Sequence, residues 1–74
     1  MNKQRKSEIK NIIKSLEMLS SALDNILDNE NEYYDNIPEN LLSSDRAEES
    51  EEAIGYLESA IEMIDKSTDF LDEI

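Results

Sequence analysis

The sequence predicts an all-α fold, an antiparallel two-helix hairpin packed in the manner of a coiled coil, and three observations predict it. Apolar residues recur every seven positions in two separate stretches; the only proline, Pro38, stands between them; and the two repeats match when the chain is folded back on itself. In the first stretch Ile9, Leu16 and Leu23 take the a positions and Ile12, Leu19, Ile26 and Tyr33 the d positions, which predicts a helix over about residues 4–34. In the second, Ala47, Ile54 and Ile61 take a and Leu57, Ile64 and Leu71 take d, with Ser50 and Thr68 as polar members of the seam. That predicts a helix over about residues 45–73.

Residues 35–44 form the expected connection, so the chain is read as one helical-hairpin domain, 1–74. Pro38 lacks an N–H and disfavours helix in the residue before it, while Ser44 or Asp45 can cap the next helix, Asp45 pairing with Glu48 in a box-like arrangement. Antiparallel packing about a turn near residue 40 pairs residues whose numbers add to about 80. Leu16 then faces Ile64, Leu23 faces Leu57, bulky Tyr33 meets small Ala47, and Glu30 meets Ser50 in a shared polar layer. Such a layer costs stability but sets register.

Composition narrows the function. A chain of 74 residues buries only about 60% of the surface it exposes when unfolded, so its own core is marginal and self-association would help. There is no cysteine for a disulfide or thiolate site, and no histidine to serve as general base or metal ligand. The reading is therefore non-catalytic, with no cofactor and no metal. No apolar run approaches the roughly 20 residues of a membrane span, and the basic Met1–Lys14 stretch lacks the apolar segment of a secretory signal. A soluble, cytoplasmic protein without a membrane partner is the expectation.

Charge is the loudest signal: 19 acids against 7 bases leave a net −12. It is also polarised. Lys3, Arg5, Lys6, Lys10 and Lys14 against Glu8 give Met1–Lys14 a net +4, whereas Ser15–Ile74 carries 18 acids against Arg46 and Lys66. In the hairpin the basic end is expected beside Asp65, Asp69, Asp72 and Glu73. From Asp24 to Glu52, 11 acids face only Arg46, a net −10 at the loop end. That argues against direct binding of nucleic acid and for a basic protein partner. Because duplex DNA carries one charge per roughly 1.7 Å, an acidic helical rod can imitate it. The candidate partner-binding residues are Glu32, Asp35, Glu39, Asp45, Glu48, Glu49, Glu51 and Glu52; the competing reading is that they only keep the chain soluble.

Other motifs have plainer readings. Asp28-Asn29-Glu30-Asn31-Glu32 alternates oxygen ligands as a calcium loop does, yet Tyr33 stands where the sharp turn of such a loop needs glycine. Glu48, Glu49, Glu51 and Glu52 suit the positive end of a helix dipole and, without histidine, make no di-iron motif. Tyr33, Tyr34, Ile37, Leu41 and Leu42 are expected to close the loop end of the core. Tyr56, Met63 and Phe70, spaced by sevens outside the second seam beside Ala53 and Ala60, form an apolar surplus. On the first helix Ile13 and Leu27, with Tyr34, form another. One hairpin cannot bury both, so a homodimer forming a four-helix bundle is expected, through Tyr56, Met63 and Phe70 or alternatively through Ile13 and Leu27.

The run Tyr33-Tyr34-Asp35-Asn36-Ile37-Pro38-Glu39-Asn40-Leu41, followed by Ser44, Arg46, Glu48 and Glu51-Glu52-Ala53-Ile54, resembles a family of short acidic proteins of bacteria, their prophages and mobile elements. The Met-Asn-Lys-Gln-Arg start is similar too, and the likeness covers nearly the whole chain. The resemblance implies a bacterial or phage origin and a place in the host cytoplasm, and it assigns no site residues. Anti-defence proteins of such origin include small acidic binders of nucleic-acid enzymes. The function expected is thus a DNA mimic or inhibitor that engages the basic surface of a nucleic-acid-handling protein such as a defence nuclease. The alternative is a structural or scaffold protein that only self-associates.

Overall fold

The computed structural model describes all 74 residues, as two long helices joined by a short turn: α1 spans Lys3–Asp35 and α2 spans Asp45–Asp72. No proline or glycine interrupts α1, and Asn2 starts it by accepting a hydrogen bond from the Arg5 N–H at 2.8 Å. The Asn2 cap was not anticipated from the sequence. α1 stops at Asn36, whose N–H bridges the carbonyls of Glu32 and Tyr33 at 3.2 and 3.3 Å, just before Pro38 turns the chain at φ −57°, ψ 143°. One 3₁₀ turn, Glu39–Leu41, carries the chain across. Ser44 then caps α2, its Oγ accepting from the Ala47 N–H at 3.3 Å, with Asp45 and Glu48 in the first turn against the positive end of the dipole.

The helices lie side by side as a rod of 59 × 15 × 13 Å. Its radius of gyration, 17.1 Å, exceeds the roughly 11 Å of a globular domain of this length. Two helices touching along one line enclose little, and only Ile13, Ser20, Ala47 and Ser50 are buried. α2 presents the row that its heptads predict: Ala47 and Ser50 are buried, and Ile54, Leu57, Ile61, Ile64, Thr68 and Leu71 half-buried.

α1 does not present its predicted row. Ile9, Leu16, Leu23 and Glu30 face inward as expected, but their companions are Ile13, Ser20, Leu27 and Tyr34. The expected d residues Ile12, Leu19 and Ile26 are 52%, 57% and 53% exposed, and Tyr33 is also exposed. The helix is turned by roughly 50° about its axis relative to the expected seam. Ser20 fits this rotation, being buried in the seam with its Oγ donating to Asp65 Oδ1 of α2 at 3.0 Å.

Register at the loop end follows expectation: Ser50 Oγ donates to Glu30 Oε2 at 2.6 Å, forming the polar layer. Tyr33 is the exception, meeting Arg46 rather than Ala47. Thr68 satisfies its hydroxyl on the Ile64 carbonyl of its own helix at 3.0 Å, and no buried side-chain polar atom lacks a partner. Tyr34 and Ile37 half-close the loop end, while Leu41 and Leu42 stay exposed. No helix is long and apolar enough to cross a membrane.

Candidate functional site

All eight candidate acids are exposed. Glu32 and Asp35 end α1, Glu39 lies in the 3₁₀ turn, and Asp45, Glu48, Glu49, Glu51 and Glu52 fill the first two turns of α2. Asp45, Glu48, Glu49 and Glu52 follow the i, i+3, i+4, i+7 spacing and so share one face of α2, turned away from the seam, with Glu51 beside it. No three carboxylates converge closely enough to hold a metal ion. Glu30, the one half-buried acid of this end, is occupied with Ser50.

The acids also lack cationic partners. Arg46, the one base of the loop end, donates from Nε to the Tyr33 hydroxyl at 3.0 Å and lies 5.7 Å from the centre of its ring. The single ion pair of the molecule, Lys66 Nζ to Glu62 Oε1 at 3.1 Å, lies within α2 toward the other end. At that open end Lys6, Lys10 and Asp72 line one hollow, yet no ion pair joins the basic start of α1 to the acids of α2. The expected complementarity is there in position but makes no direct contact.

Of the two apolar surpluses, one stands and one moves. Tyr56, Met63 and Phe70 are 75%, 59% and 75% exposed, as a free face requires. Ile13 and Leu27 do not form the alternative face, because Ile13 is buried and Leu27 half-buried in the seam against α2. The rotation of α1 exposes Ile12, Leu19 and Ile26 in their place. The signal for this was in the sequence, where both rows of α1 repeat in sevens; only contact with α2 separates them.

Compared with protein-family models, with curated proteins and with solved structures, the chain matches none.

Proposed function

We propose that the chain is a non-catalytic binding protein whose acidic loop end engages a basic surface of a nucleic-acid-handling protein, acting as a nucleic-acid mimic or inhibitor. The observation that supports this reading is the set of eight exposed carboxylates at one end of the rod, with Arg46 the one base among them and no ion pair formed there. Charges held out in water draw a basic partner from a distance and compete with its nucleic acid. The resemblance to short acidic phage and mobile-element proteins agrees with a defence nuclease as that partner.

The test is affinity capture with the native chain and with a variant carrying Glu48→Lys, Glu49→Lys, Glu51→Lys and Glu52→Lys. The native chain should retain a nucleic-acid-binding protein that duplex DNA displaces, and the variant should not. Binding should also fade with salt, since exposed charges are screened over about 8 Å at physiological ionic strength. A partner that stays bound in 1 M salt and accepts the variant would overturn the proposal. The exposure of Tyr56, Met63 and Phe70 favours a second reading, a scaffold that works through self-association. Under that reading the lysine variant changes nothing and Phe70→Glu abolishes function.

A further inference from the structure

The charges of α1 oppose its own dipole. Lys3, Arg5 and Lys6 occupy the first turn, where the dipole is positive, and Glu32 and Asp35 the last, with no acid in the first turn and no base in the last. α2 does not compensate, for no ion pair joins the helices. Each such exposed charge costs a little stability, which charges of the opposite sign brought alongside would relieve.

The same chain leaves an uncharged face open. Ile12, Leu19 and Ile26 on α1 and Tyr56, Met63 and Phe70 on α2 are each more than half exposed. They lie on one side of the hairpin. Tyr33, next in the α1 row, meets Arg46, which begins the row Arg46, Ala53, Ala60 beside Tyr56 and Met63, and all of Tyr33, Arg46 and Ala53 line one hollow. The Ser20–Asp65 bond marks the opposite side, with Lys6, Lys10 and Asp72. No charged residue shares the first side between Ile12 and Asn29 of α1 or between Ala53 and Phe70 of α2. The molecule exposes 5907 Å², against about 4,650 Å² for a compact monomer of 8.5 kDa. That surplus reflects the elongation of the rod, and one 59 × 15 Å face of it is comparable with the ~800 Å² that each partner buries in a stable complex.

We propose that a second copy of the chain covers this face, laid antiparallel so that α1 packs on α1 and α2 on α2 in a four-helix bundle, with Leu19 at the two-fold axis. Leu19 is the midpoint of Lys3–Asp35. Folding about it sets Ile12 over Ile26 of the second copy. The basic half of each α1, Lys3 to Lys14, then runs level with the acidic half of the other, Asp24 to Asp35, along the outer flanks of the bundle, so that the halves attract at a distance without forming ion pairs in the interface. On α2 the same axis brings Phe70, Met63 and Tyr56 level with the small residues Ala53, Ala60 and Ser67. A parallel dimer would instead place two loop ends of net −10 side by side.

The proposal does not rest on the acidic-mimic reading, and its test leaves Glu48–Glu52 untouched. Since the chain has no cysteine, single cysteines report the arrangement directly. Sedimentation equilibrium should give twice 8.5 kDa, and Leu19→Cys should oxidise to a covalent dimer. Spin labels on Asn40→Cys should lie about 50–60 Å apart, close to the 59 Å length of the rod. Leu19→Glu should weaken the dimer by about a hundredfold or more, because a charge would be buried without a partner. If that variant fails to fold, the label distance still decides. A monomer at high micromolar concentration, or labels closer than about 30 Å, as loops at one end would give, overturns the proposal.

Discussion

Two adjoining rows run the length of α1, and the more hydrophobic one is outside. Ile12, Leu19, Ile26 and Tyr33 flank the seam and stay exposed, while Ile13, Ser20, Leu27 and Tyr34 lie in it against α2. The inner row contains a serine where the outer has a leucine. The difference teaches that apolar area alone does not decide which row two helices bring together, since the inner row holds a buried serine satisfied by a bond across the seam. It also leaves the hairpin with unspent hydrophobic surface, which a single chain has no way to cover.

The sharpest way to test that contrast is to place one charge in each row. Ile13→Asp should destabilise the hairpin by about 3 kcal/mol or more, enough to unfold most of it, because it puts an unpaired carboxylate in the seam. Ile12→Asp should leave the dilute chain folded and act only on the concentration-dependent part of its stability. Thermal unfolding followed by circular dichroism over a range of concentrations separates the two, and equal losses would mean that α1 is not turned as described. Ser20→Leu is next, since it makes the inner row as apolar as the outer. Overpacking and the loss of the bond to Asp65 should cost about 1–3 kcal/mol in urea unfolding. A gain in stability would show that Ser20 and its bond to Asp65 are not what orients α1.

Away from both rows, Gly55 sits mid-helix in α2, and an added Cβ there meets nothing within 4 Å. Gly55→Ala should therefore stabilise the protein by about 0.5–1 kcal/mol, seen as a raised melting temperature. No change would mean that α2 is not continuous through that point. The smallest effect is expected at the fraying end. Asn2→Ala removes the cap bond to Arg5 and should cost about 0.5 kcal/mol, measured best as faster amide exchange in the first turn of α1.

Much of this architecture was legible in the sequence. The two heptad repeats, Pro38 and the Ser44 cap specify two helices and their break, because helix formation and capping depend on neighbours a few residues away. The polar layer of Glu30 and Ser50 was legible too, through the match of one repeat to the other. So were the exposed positions of the loop-end acids, which follow from charge. The sequence alone thus determined the elements, the inward row of α2 and the polarity of charge along the rod. What only the tertiary structure decided was which of α1's two rows meets α2, and with it which apolar residues remain free. Both rows keep the same seven-residue period, so periodicity cannot choose between them. The choice shows across the seam, in the buried Ser20 and the bond it gives Asp65, an interaction between residues 45 positions apart that no local pattern encodes.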